Sequence, residues 1–94
     1  MNVHKRIAWN LRRVRVSRGL SQEALAADAG VDRAYVGRLE RSLENPTVDL
    51  LGRLVVALNC DMSELFIKPK TGASAPKPLK GGRRKVAKST SRSG

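Results

Sequence analysis

Residues 22–41 read QEALAADAGVDRAYVGRLER, and the order of apolar, small and turn-forming residues in this stretch decides the fold. Leu25, Ala29, Val31, Val36 and Leu39 are apolar at the positions that face inward when one short helix stops and another starts across it. Ala26 stands where the second helix approaches most closely, and a larger side chain there pushes the pair apart. Gly30 falls just past the first helix, where a left-handed backbone is needed and glycine takes it without a Cβ penalty. Asp32 offers a carboxylate to cap the second helix. The pattern predicts a helix, a tight turn and a second helix over 22–41, the second running from about Arg33 to Arg41.

Working outward, the chain reads as all-α, with five helices and a tail. The first helix is expected from about Val3 to Arg18, with Val3, Ile7, Leu11 and Val14 on one stripe and Gly19 ending it. Ser21 can cap the second helix, with Leu20 and Leu25 as a hydrophobic staple across the cap; Val31 and Val36 are placed likewise for the third. The stretch SLENPT is a loop, because Pro46 disfavours helix at Asn45, and Thr47 can cap the next helix. This fourth helix is predicted over about Val48 to Leu58, with Val48, Leu51, Leu54, Val55 and Leu58 on its core stripe and Asn59 as a left-handed stop. Asp61 and Glu64 form a capping-box-like pair for a short fifth helix ending near Phe66. From Lys68 onward, KPKTGASAPKPLKGGRRKVAKSTSRSG has almost nothing to bury, and disorder is expected. The chain therefore divides into a folded domain, 1–67, and a basic tail, 68–94.

Charge follows the same division. The chain has 19 Lys and Arg against 8 Asp and Glu, a net charge of +11. Residues 1–67 hold 10 basic and 8 acidic residues, while 68–94 hold 9 basic residues and none acidic. Folding gains nothing from so much like charge, so the balance points to a polyanionic partner. The single Cys60 cannot close an intramolecular disulfide, as suits a reducing compartment. No apolar run approaches the roughly 18 residues of a membrane span, and the start lacks the apolar stretch of a secretory signal; no membrane partner is expected. Catalysis is not expected either. His4 is the only histidine, Cys60 has no base beside it, and no Cys–His spacing suits a metal. The expectation is no enzyme, no catalytic residue, no metal and no cofactor.

Residues 7–66 resemble the lambda-repressor-like helix-turn-helix family, often called the Cro or Xre type. The text carrying the resemblance is LRRVRVSRGLSQEALAADAGVDRAYVGRLER, followed by NPTVDLLGRLVVAL and then DMSELF. The resemblance implies a compact five-helix domain that binds operator DNA, usually as a symmetric homodimer. Three positions depart from the family pattern. Ser42 stands where a glycine usually follows the recognition helix. Gly37 lies inside that helix, at a cost of about 0.8–1 kcal/mol relative to Ala, and leaves room for close approach of DNA. Gly52 interrupts the fourth helix where relatives are often apolar.

The helix from Arg33 is expected in the major groove, presenting Arg33, Ala34, Gly37, Arg38 and Arg41 outward. Arg33 and Arg38 are the leading base readers, since a guanidinium can grip guanine O6 and N7 with two hydrogen bonds, and Ala34 suits a thymine methyl. The alternative is that these arginines only neutralise phosphates. Tyr35, Arg41, Ser42 and Asn45 are candidate backbone contacts. For Gln22 the resemblance implies a phosphate contact at a helix N-terminus. It also implies a structural ion pair between Arg15 and Glu40.

The fourth helix is apolar over a wide arc, which points to a partner surface. A homodimer interface is expected from Leu50, Val56, Met62, Leu65 and Ile67 about a two-fold axis. Trp9 lies opposite the core stripe of the first helix, an isolated aromatic that carries no inference. The tail reads as an electrostatic arm along phosphates. The leading expectation is a sequence-specific double-stranded-DNA-binding transcriptional regulator, a repressor or autoregulator, in the bacterial cytoplasm at the nucleoid, with an inverted-repeat operator. The competing readings are an antitoxin-like or co-regulator protein-interaction module with secondary DNA binding, and nucleoid-like packaging by the tail.

Overall fold

The computed structural model describes residues 2–69; the expectation of disorder for the tail concerns positions that, from residue 70 on, lie outside the described residues. The described chain is helical throughout: α1 (Val3–Ser17), α2 (Gln22–Ala29), α3 (Arg33–Glu40), α4 (Val48–Leu58) and a 3₁₀ helix (Met62–Phe66). Three α-helices begin on side-chain caps. Asn2 accepts from the Lys5 N–H, Ser21 from Ala24 and Thr47 from Leu50, each satisfying a donor that the first turn leaves open. Asp32 does not do so for α3: it makes no side-chain cap hydrogen bond. Asp32, Arg33 and Ala34 are exposed, and the Tyr35 N–H donates to the Asp32 backbone carbonyl at 3.0 Å where a capping carboxylate would have accepted it.

Each α-helix ends at or near a left-handed residue: Gly19 after α1, Gly30 after α2, Ser42 after α3 and Asn59 after α4. Two of these ends are closed by arginines from elsewhere in the fold. Arg53 of α4 donates from Nε to the Ala29 carbonyl at 3.1 Å and from Nη2 to that of Gly30 at 2.6 Å. Arg18 donates from Nε to the Leu58 carbonyl at 2.9 Å. A cation at a helix C-terminus also complements the helix dipole.

The core gathers Ile7, Leu11 and Val14 of α1, Leu25, Ala26 and Ala29 of α2, Val36 and Leu39 of α3, and Leu51, Leu54, Val55 and Leu58 of α4, closed by Leu65. Two stripe positions fall outside it. Val3 and Val48 are exposed because each opens its helix, beyond the reach of the facing elements.

The segment expected as a fifth α-helix is a five-residue 3₁₀ helix. Pro69 disfavours helical backbone at Lys68, so the segment cannot run on as a longer helix, and the Leu65 carbonyl is left without a partner inside it. Buried Asn10 takes that carbonyl instead: its Nδ2 lies 3.1 Å from Leu65 O and 2.7 Å from Ile67 O. The capping pair is half made. Asp61 accepts from the Ser63 N–H, but Glu64 turns to Arg13 at 3.2 Å.

Candidate nucleic-acid interface

The inner face of α3, Val36 and Leu39, is buried against the core, while Arg33, Ala34 and Arg41 are exposed and Tyr35, Gly37 and Arg38 are half-buried. The orientation of α3 is set by a carboxylate at its last residue. Glu40 Oε2 accepts from Arg15 Nε at 2.6 Å and Oε1 from Arg15 Nη2 at 3.0 Å, a two-pronged pair with both side chains only 3% exposed. Arg15 Nη1 donates to the Leu20 carbonyl at 2.7 Å, so one guanidinium ties α1 to α3 and to the turn before α2. A planar guanidinium suits this site because its donors match a carboxylate and a carbonyl at once.

Gln22 joins the same network, donating from Nε2 to Glu40 Oε1 at 3.1 Å. Its side chain lies over the middle of α3, where a Cβ on Gly37 would stand 3.6 Å from Gln22 Oε1. That is ordinary contact. The glycine is therefore not required by packing within the chain, and its bare backbone leaves the outer face of α3 open.

Arg38 is less free than an exposed base reader. Its Nε donates to Glu44 Oε2 at 2.7 Å, with the two side chains 42% and 27% exposed. Its Cζ lies 5.8 Å from the Tyr35 ring centroid. Burial, reinforced by Glu44 and opposed by Arg38, raises the pKa of the Tyr35 phenol above its usual value, so the hydroxyl stays neutral and can donate. Arg33 and Arg41 make no ion pair among the described residues. Ser42 adopts φ 63, the left-handed geometry that ordinarily favours glycine. Asn45 is exposed, and its Oδ1 lies 3.0 Å from His4 Nε2.

The expected dimer residues separate. Leu65 is fully buried in the core and cannot belong to an intermolecular surface. A five-residue stretch is too short for its periodicity to distinguish the inner from the outer side. Leu50 and Met62 are partly buried against the core, Ile67 is exposed, and Val56 is 80% exposed. Trp9 is half-buried with the Arg13 guanidinium 5.9 Å from its ring centroid. Among the described residues no group of three or more His, Cys, Asp or Glu gathers as a metal site, and no helix is long and apolar enough to cross a membrane.

Sequence reasoning missed Glu44, His4, Asn10 and the capping arginines, since their partners lie across turns or on other helices. The charge of Glu44 was visible; the turn that brings it back to Arg38 was not.

A helix-turn-helix family model matches residues 11–65, which contain α2, α3, α4 and the last seven residues of α1. The chain belongs to the helix-turn-helix family. Its relatives within this family of DNA-binding transcriptional regulators include a hypothetical transcription factor of Neisseria meningitidis, 36% identical over 64 residues, 68% of this chain and 60% of that protein. The match thus spans somewhat over half of the Neisseria relative. Control protein C.SmaI of Serratia marcescens is 37% identical over 68 residues, 72% of this chain and 81% of that one. Among solved structures, the restriction-modification controller protein C.AhdI of Aeromonas hydrophila superposes with a TM-score of 0.65 at 40% identity, covering 67% of this chain and 96% of that one.

Proposed function

We propose that this helix-turn-helix protein is a sequence-specific regulator of transcription that reads double-stranded DNA through the major groove as a homodimer. The observation that carries the reading is the outer face of α3: Arg33, Ala34, Gly37 and Arg38 stand outward on a helix whose angle is locked by Glu40 to Arg15 and Gln22. In this reading Arg33 and Arg38 grip guanines, Ala34 meets a thymine methyl, and Gly37 lets the groove wall come close. Gln22, Tyr35, Arg41, Ser42 and Asn45 line the flanks and contact phosphates. The Gln22 amide keeps one N–H for a phosphate while the other serves Glu40.

Dimerisation uses the outer side of α4 and the end of the 3₁₀ helix, through Leu50, Val56, Met62 and Ile67. A two-fold axis there sets two α3 helices on half-sites about one helical turn apart. The nine basic residues of 68–94 add sequence-independent affinity. A controller-type role, repressing or autoregulating its own genes, is supported by the matches to C.AhdI over 96% of that chain and to C.SmaI over 81%.

The test is selection of fragments from the source genome by the purified chain at about 150–200 mM salt, where sequence-independent binding is suppressed. An enriched inverted repeat supports the reading. No enriched sequence, with a stoichiometric protein co-purifying, replaces it with the protein-interaction module.

A further inference from the structure

The loop after α3 supplies a side chain that none of these roles employs. Ser42 closes the helix in the left-handed region, with its N–H donating to the Leu39 carbonyl at 3.1 Å and the Leu43 N–H donating to that of Arg38 at 2.9 Å. This 6→1 and 5→2 pair of bonds defines a Schellman turn. The chain doubles back, and Glu44 comes to lie beside the helix it has just left. There its Oε2 accepts from Arg38 Nε at 2.7 Å.

A guanidinium offers paired N–H groups along two edges, one that includes Nε and one made of the two Nη atoms. Glu44 occupies the first, and Tyr35 lies against the group at 5.8 Å. The two terminal nitrogens of Arg38 have no partner among the described residues. That free edge suffices for guanine, whose O6 and N7 accept two parallel bonds. A phosphate meets a different field. It carries a full negative charge and must approach the Glu44 carboxylate to reach Arg38, whereas a guanine edge brings no net charge.

We propose that Glu44 is a specificity-determining residue of the DNA interface: it holds Arg38 by Nε so that only the two-Nη edge faces a base, and it repels phosphates from that arginine. The inference rests on the DNA-reading role proposed for α3. Discrimination here comes from a repulsive element set against the wrong contact as well as from an attractive one for the right contact.

The test compares wild type, Glu44→Gln and Glu44→Ala as full-length chains on two probes. One is a duplex enriched by the wild-type chain from a randomised library; the other is a scrambled duplex of equal length. In both variants affinity for the scrambled duplex rises by about three- to fivefold, the scale of one half-exposed charge interaction. The slope of log affinity against log salt steepens by about 0.9 for each Arg38 released to a phosphate. The preference for the enriched duplex falls, and in an Arg38→Ala background Glu44→Gln changes none of these quantities. Unchanged scrambled-duplex affinity and salt slope in both variants overturn the proposal, as does an equal effect without Arg38. If the wild-type chain enriches no duplex, the DNA-reading role itself falls and the inference with it. If a duplex is enriched and the Glu44 variants behave as wild type, only the role of Glu44 falls.

Discussion

The Arg15–Glu40 and Arg38–Glu44 pairs join the same two side-chain types at nearly the same distance, one sealed in the protein and the other at its surface. In the sealed pair every prong is used. Arg15 binds both Glu40 oxygens and a backbone carbonyl, and the unit behaves as a joint between three helices. In the surface pair a single Nε–Oε2 bond holds Arg38 and leaves its working edge open. Burial thus turns one pair into scaffold and leaves the other adjustable. The sealed joint sets where α3 lies, and the half-open clasp sets what α3 presents.

The sharpest way to break this contrast is to delete the cation of the sealed pair. Arg15→Ala leaves Glu40 buried and unpaired and is expected to cost about 3–5 kcal/mol, read from urea unfolding followed by circular dichroism. Replacing both partners with apolar residues, Arg15→Met with Glu40→Leu, restores most of that loss, because the penalty comes from the orphaned charge. Gln22→Ala removes one charge-assisted bond to Glu40 and lowers stability by about 1.5 kcal/mol in the same titration. Gly37→Ala moves the other way. Its Cβ meets Gln22 Oε1 at an ordinary 3.6 Å, so the free protein gains about 0.8–1 kcal/mol of helix propensity while affinity for an enriched duplex falls. A gain in both stability and affinity would remove the close-approach role of Gly37. The smallest effect belongs to the surface pair: Glu44→Gln changes unfolding free energy by less than about 1 kcal/mol. A loss as large as that of Arg15→Ala would erase the distinction between the two pairs.

The part of the fold that was legible in the sequence is the part written in local chemistry. Ser21, Gly30, Thr47 and Asn59 each occupy the helix end their side chain or backbone suits, and the apolar spacing of Leu25, Ala26, Val36 and Leu39 found the core. Reading failed where tertiary contact outranks local signal. Asp32 has the right chemistry for a cap, but its own backbone carbonyl takes the Tyr35 N–H and its carboxylate makes no cap bond. Val3 and Val48 have the right period but open their helices beyond the core. Leu65 belongs to a short 3₁₀ segment held to α1 by Asn10, and its side chain is buried in the core. For the candidate site, the outer face of α3 could be read from periodicity alone. The Glu44 clasp could not, because a left-handed serine, at a backbone geometry that favours glycine, determines where the next residues go.

The central claim is that α3 reads base edges in the major groove through its arginines. Methylation of guanine N7 blocks that edge, so interference mapping on an enriched duplex tests the claim most directly, with wild type beside Arg33→Ala and Arg38→Ala. Each half-site is expected to contain guanines whose methylation blocks wild-type binding, and each arginine variant is expected to lose the effect of a particular guanine. A wild-type pattern that both variants reproduce, or binding indifferent to every N7 methyl, would contradict the claim.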